Sequence, residues 1–233
     1  MNIAIIPARG GSKRIPRKNI KDFLGRPMIS YAIETAIASR LFDKIVVSTD
    51  DEEIAKVARM YGAEVPFVRP QELADDFTGT NDVIKHALNW FVNQGVSIEY
   101  ACCIYATVPL LRPQYLQEGF EQLQSSGKSF TFSVTSFPSP IQRAMSIKNH
   151  EISMFYPEHL NTRSQDLEEA YHDAGQFYWG RVAAFLNDEN LFSQCAYPVV
   201  LPRDLVQDID TMEDWNRAEL MYKMIQQKQK NKE

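Results

Sequence analysis

Five cations crowd into one short segment behind the first apolar run of the chain. Pro7-Ala8-Arg9-Gly10-Gly11-Ser12-Lys13-Arg14-Ile15-Pro16-Arg17-Lys18-Asn19 carries Arg9, Lys13, Arg14, Arg17 and Lys18. Its paired glycines let backbone N–H groups approach a ligand closely. The cations suit a polyphosphate, whose oxygens need several donors and whose charge needs neutralising. The segment contains neither GxxxxGK[ST] nor GxGxxG, so it is not a Walker loop or a dinucleotide fingerprint. A solvated basic turn is the plain alternative. The position directly behind a strand favours the phosphate reading, because open α/β sheets bind ligands beyond their strands' carboxyl ends.

A second chemical signal lies near the other end. Asp208-Ile209-Asp210 puts two carboxylates on the same side of an extended segment. Such a pair suits Mg2+, which prefers carboxylates, water and phosphate oxygens. Asp210 could instead cap the helix that begins near Thr211. Asp50 and Asp51 read equally as caps, and no chemistry is assigned to them. A third stretch, residues 161–179, mixes polar and aromatic side chains as sugar sites do. Period-two alternation makes Phe177 and Trp179 core residues and turns Tyr178 to the site. His172 has an equal reading as a structural hydrogen-bonding residue. His86 and His159 receive no role.

The elements that must position these residues alternate between strand and helix. Strands are expected at 2–6, 44–48, 65–68, 100–105 and 130–135, with further ones at 176–179 and 196–201. Helices are expected at 28–39, where Ile29, Ile33, Ala36 and Ile37 share a stripe, and after the capping-box spacing of Thr49 and Glu52. Thr80 can cap a helix carrying Val83, Ile84, Ala87, Leu88 and Phe91. Helices at 113–124 and 211–225 complete the set, and the tail 226–233 is expected to fray. This rhythm predicts a single α/β domain over residues 1–233: a three-layer α/β/α, Rossmann-like, mostly parallel sheet. Candidate sites then follow Ile6, Ser48, Val68 and Tyr105. Residues 136–170 break the rhythm and read as an inserted hairpin or arm.

Composition narrows the function classes. At 233 residues with 44% hydrophobic and 24% charged residues, the chain is an ordinary globular protein. A net charge of -5 argues against a general nucleic-acid surface. The apolar start, Ile3 to Ile6, is too short for a signal peptide, and no stretch approaches membrane-spanning length. Cys102, Cys103 and Cys195 form no metal or disulfide pattern. A cytoplasmic location with no membrane partner is the expectation.

The text PARGGSKRIPRKN resembles the nucleotide loop of CMP-sialic acid synthetases. The resemblance continues through VSTDDEEIA at 47–55, VRPQELADD at 68–76, ATVPLLRP at 106–113 and DIDTMEDW at 208–215. The stretch RSQDLEEAYHDAGQFYW departs from the sialic acid pattern and looks like the version in pseudaminic acid cytidylyltransferases. The family often has Gln where this chain has Tyr105, so no contact is assigned there. The resemblance implies the nucleotide-diphospho-sugar transferase fold and the joining of CMP from CTP to an acidic nine-carbon sugar. Pseudaminic acid is the first choice, with sialic or legionaminic acid as alternatives. A non-catalytic nucleotide-binding regulator on the same fold is the rival from another class.

The resemblance also implies roles. Arg9, Ser12 and Lys13 would hold the triphosphate, within a loop that includes Ala8, Gly10 and Gly11. Lys18 would stabilise charge at the α-phosphate, with Arg9 and Asp210 as its catalytic companions. Asn19 and Arg69 would serve the cytosine and ribose end, and Thr80 would offer a hydroxyl. Asp208 and Asp210 would hold Mg2+. Arg163 is the choice for the sugar carboxylate, since a guanidinium matches it bidentately. Gln165, Tyr171, His172 and Tyr178 are candidates for orienting the sugar. A homodimer is implied, the arm of one subunit reaching its partner's site.

Overall fold

Aliphatic runs covered on both sides build the sheet. The structure is a computed structural model that describes residues 1–230. Strand β1 (Asn2–Pro7) buries Ile3, Ala4, Ile5 and Ile6 completely, as a strand sandwiched between two helical layers must. A tight hairpin of β2 (Asp22–Phe23) and β3 (Arg26–Pro27) follows, turning through Leu24 and Gly25 at positive φ. Then come α1 (Met28–Ser39), β4 (Lys44–Ser48), α2 (Glu52–Met60), α3 (Thr80–Asn93), β5 (Tyr100–Ile104), α4 (Pro113–Ser125) and β6 (Phe130–Ser136). The chain continues with β7 (Met145–Lys148), β8 (Glu151–Met154), β9 (Tyr171–Arg181), α5 (Val182–Leu186), β10 (Ala196–Val200) and α6 (Met212–Lys230).

The main sheet has the order β10-β6-β9-β5-β1-β4. β1 pairs in parallel with β4 and β5, and β6 with β10, while β9 runs antiparallel between β5 and β6. The carboxyl ends of five strands and the amino end of β9 therefore share one edge. One face packs Ile29 and Ile33 of α1, Ile54 of α2 and Leu116 of α4 against the sheet. The other packs Ile84 and Leu88 of α3 and Phe185 of α5. A third cluster joins Ile15, Phe23 and Tyr31 to Ile209, Trp215 and Ala218, which seats α6 over the opening loop.

Several expectations change. Residues 65–68 form no strand; only Glu64 makes an isolated bridge to Val46. Pro66 has no N–H to donate to a ladder, and Val68 is exposed. Of the residues offered as caps of α2, Asp51 serves, its carboxylate accepting from Ile54 N (3.0 Å), and Thr49 does not. Thr80 is the first residue of α3 and makes no cap bond. Asp210 is not a cap either. Thr211 Oγ1 accepts from Asp214 N (3.2 Å) while the Asp214 carboxylate accepts from Thr211 N (2.9 Å), a reciprocal capping pair. The last helix runs on to Lys230, past the expected fraying point at 226, and residues 231–233 lie outside the described ones.

The stretch expected as an arm leaves the sheet at Ser136 and returns at Tyr171, and these two residues pair directly. Within it, β7 and β8 form a ribbon closed by Asn149 and His150, both at positive φ as a two-residue hairpin turn demands. Ile147 and Ile152, opposite each other on the ribbon, are exposed.

Two predictions test this packing. A Cβ at Gly180 would meet Phe130 and Phe185 at 2.6 Å. Gly180→Ala should therefore cost about 1–3 kcal/mol by overpacking and visibly lower Tm in a calorimetric scan. The Arg17 guanidinium, 2.5 and 2.9 Å from the Asp51 oxygens, holds that carboxyl down at about 2 against an ordinary 3.8. A depressed carboxyl contributes stability that is full above its unfolded value and lost as pH falls through the folded one. Asp51→Asn should thus flatten the stability loss between pH 3.8 and about 2 in acid denaturation.

Candidate active site

The basic loop after β1 is pinned rather than free. Ile15 in its middle is buried among Phe23, Ile209 and Trp215. Asn19, itself buried, donates to the Arg9 carbonyl (2.9 Å) and so ties the end of the loop to its start. Ala8 N donates to the Ser48 carbonyl (2.9 Å), and Gly10 N donates to the Asp50 carboxylate (2.9 Å). These two N–H groups therefore shape the loop instead of facing a ligand. Gly10 is required for space, since a Cβ there would lie 2.8 Å from the Asp51 carboxylate. Gly11 is open to solvent. None of these three residues lines the cleft. Asp50 thus acquires a loop-holding role that sequence reading left unassigned.

Four of the five cations surround one cleft of about 300 Å³. Arg9, Lys13, Arg14 and Lys18 line it together with Ser12 and Asn19. Arg17 does not; at φ 57 it turns to Asp51 and Glu53 at the start of α2. Arg9 lies 2.7 Å from the Asp76 carboxylate, and Lys13 also pairs with Asp76. Asp75 organises that loop by accepting from Phe77 N (2.9 Å), Thr78 N (2.7 Å) and Thr78 Oγ1 (2.6 Å). Sequence reading passed over Asp75 and Asp76, although both sit in the quoted VRPQELADD text.

On the far wall, Arg69 is almost fully buried. Its guanidinium donates to the Ser48 hydroxyl (3.1 Å) and to the Ser48 carbonyl. Burial lowers its pKa to about 10, which leaves it cationic at neutral pH. Thr80 faces the cleft, its hydroxyl 3.1 Å from that of Tyr105. Tyr105 follows β5 and lines the cleft itself. The sequence signal for it was a mismatch, which on its own pointed away from the site.

Of the late aspartates, Asp210 lines the cleft and Asp208 lies just outside its lining. Lys18 Nζ donates to the Ile209 carbonyl (2.7 Å) and lies 3.5 Å from Asp210, while Arg14 lies 3.0 Å from Asp210. Ile209 is buried, so its two neighbours are turned outward together. Crowding by the surrounding protein, and then the charge of Asp210, raises the Asp208 carboxyl above its ordinary value, although one side of the residue is open. Among the described residues no group of three His, Cys, Asp or Glu side chains could hold a metal unaided. The donor set fits a hard cation that completes its shell with water and phosphate oxygens.

Two further cavities share Asp173, and one of them adjoins the cleft. One, of about 480 Å³, shares Thr80 and Tyr105 with it and is walled by Ile84, Phe130, Tyr178, Phe185 and Phe192. The other, of about 570 Å³, contains His172, Arg203, Arg217 and Asp208. Asp173 lines both. The sugar candidates thus separate. Tyr178 walls the first cavity while Phe177 and Trp179 are buried on the opposite face. His172 lines the second, its Nδ1 2.8 Å from the Asp173 carbonyl. Tyr171 is half-exposed and donates to Glu169 (2.8 Å). Arg163 is exposed on the arm and bonded to Asp166 (2.6 and 3.1 Å), with Gln165 exposed beside it. Neither is among the residues lining the cleft or the two cavities. The arm carries them away from this chain's own sheet edge.

Comparison with known proteins identifies the family. The chain is 48% identical over 224 residues to pseudaminic acid cytidylyltransferase of Campylobacter jejuni, covering 96% of this chain and 97% of that one. It is 32% identical to CMP-N,N'-diacetyllegionaminic acid synthase of Legionella pneumophila, covering 97% of each. In fold it is similar to CMP:2-keto-3-deoxy-manno-octonic acid synthetase solved with CTP, at a TM-score of 0.67 over 97% of this chain and 99% of that one. At 17% identity that likeness concerns the fold alone. No helix among the described residues is long and apolar enough to cross a membrane. Residues 3–231 match the cytidylyltransferase family, and the chain belongs to it.

Proposed function

We propose that this enzyme transfers CMP from CTP to pseudaminic acid and releases diphosphate. One observation carries the reading: Lys18 and Asp210, 3.5 Å apart, line the same cleft as Arg9, Lys13 and Arg14. The similarity to a pseudaminic acid cytidylyltransferase along nearly the whole chain supports the choice of sugar. The anomeric 2-hydroxyl of the sugar attacks the α-phosphorus and gives its proton to water, the new O–P bond forms, and the bond from the α-phosphorus to the oxygen of the departing diphosphate breaks. Arg9 and Lys13 neutralise the triphosphate, and Ser12 offers a hydroxyl donor. Lys18 stabilises the charge that builds at the α-phosphate in the transition state. Arg69 and Asn19 border the nucleoside end. Asp208 and Asp210 would hold Mg2+, which would supply positive charge to offset that of the phosphates. The apolar cavity beyond Tyr105 suits the methyl groups of the sugar's acetamido substituents, and the polar side chains His172, Asp173 and Asp208 of the other suit its hydroxyls.

The exposed apolar ribbon supports a homodimer in which Arg163 and Gln165 serve the partner's cleft. Sugar recognition by Arg163 is then a property of the pair.

Lys18→Ala and Asp210→Asn should each lower kcat by about 10²–10³, the effect of removing one preorganised charge partner. Diphosphate release from CTP and pseudaminic acid measures this, and EDTA should abolish turnover until Mg2+ is restored. Turnover indifferent to these variants and to EDTA would remove the mechanism, and no turnover with any acidic sugar would favour a regulatory protein. N-acetylneuraminic acid used far better than pseudaminic acid would overturn the sugar assignment. Ile147→Glu with Ile152→Lys should shift the light-scattering mass from dimer to monomer, and Arg163→Ala should raise the sugar KM without moving that of CTP.

A further inference from the structure

The places where this chain departs from the sialic acid pattern meet in space. Tyr105 is one and the Tyr171–Gly175 stretch is the other. The Tyr105 and Tyr178 rings lie 5.4 Å apart, and the Tyr178 hydroxyl donates to Asp173 Oδ2 at 2.6 Å. The other Asp173 oxygen accepts from Gly175 N at 2.8 Å, across a turn that Gly175 makes at φ 61. Asp173 is thus locked by its own strand while lining both cavities.

We propose that Asp173 determines sugar specificity by fixing the direction of the hydroxyl groups along the wall between the substrate pockets. This deepens the proposed function and rests on its placing the sugar beside Tyr105. A carboxylate only accepts, so the Tyr178 proton is committed to Asp173. The Tyr178 oxygen is then left to accept as well. Tyr105 and Thr80, joined at 3.1 Å, continue the wall towards the nucleotide cleft. At its Asp173–Tyr178 end the wall therefore offers acceptors, and it favours a ligand that presents there an amide N–H, which can only donate. A ligand presenting an acceptor at that place leaves desolvated oxygens facing each other, which is costly. Pseudaminic acid, with two acetamido N–H groups, supplies such donors.

Asp173→Asn tests the direction rather than the shape. Its amide nitrogen can donate to the Tyr178 oxygen, which turns the tyrosine proton into the cavity. The expected result is a drop of about 10–100-fold in kcat/KM for pseudaminic acid, the usual scale for a misdirected buried hydrogen bond. The ratio of pseudaminic to N-acetylneuraminic acid should fall by about tenfold or more, while the KM for CTP and the Tm stay unmoved. Tyr178→Phe, which deletes the donor and keeps the carboxylate, should narrow the same ratio. An equal loss with every sugar, an unchanged ratio in both variants, or a CTP KM that rises in parallel would overturn the proposal. If the wild-type enzyme prefers another nonulosonic acid, the sugar assignment fails, and the role of Asp173 stands or falls on the ratio between its preferred and second-best sugars.

Discussion

The arrangement depends on one long-range contact, Lys18 against the Ile209 carbonyl and the Asp210 carboxylate. It joins residues 191 positions apart. An ammonium at the edge of a cleft would normally be mobile, because lysine loses side-chain entropy when it is held. Here the holding is done by apolar burial beneath it. Ile15 and Ile209 pack into one cluster with Trp215, so loop and aspartate segment are fixed to each other before any charge is considered. The ion pairs then ride on a geometry that burial has already set.

That geometry leaves each of the four cleft cations paired inside the chain, two to one carboxylate. Asp76 meets Arg9 and Lys13, Asp210 meets Arg14 and Lys18, and Asp51 removes Arg17 to the outside. Pairs as exposed as these contribute little to stability individually. Their consequence is orientation. Four cations stay aimed at one volume instead of spreading over the surface to escape mutual repulsion, which is the preorganisation that charge stabilisation at a phosphate requires.

The antiparallel β9 supplies the other half. Inserted between β5 and β6, it delivers its amino end to the edge where the parallel strands end. Asp173 and Tyr178 thereby come to lie beside Tyr105, and the arm departs from the same edge at Ser136. A strand of the other polarity, placed in the middle of the sheet, lets one edge carry both a nucleotide loop and a contrasting, partly apolar wall.

Much of this was legible in the residues. Period and burial patterns announced the layered sheet, because a strand covered on both faces must be apolar throughout, as Ile3 to Ile6 are. The Gly-rich basic loop and the Asp-x-Asp segment announced phosphate and hard-cation chemistry, because charge type and strand alternation are local properties. Capping stayed open where several acceptors adjoined, since whether Thr49, Asp50 or Asp51 closes α2 depends on which one Arg17 and Gly10 also need. Tertiary structure alone decided that Arg17 leaves the cleft, that Asp76 enters it, that Arg163 lies beyond its own chain's cleft, and that Tyr105 meets Tyr178 and Asp173. These facts turn on distances between segments far apart in sequence, and no residue carries its neighbour's position in its own type.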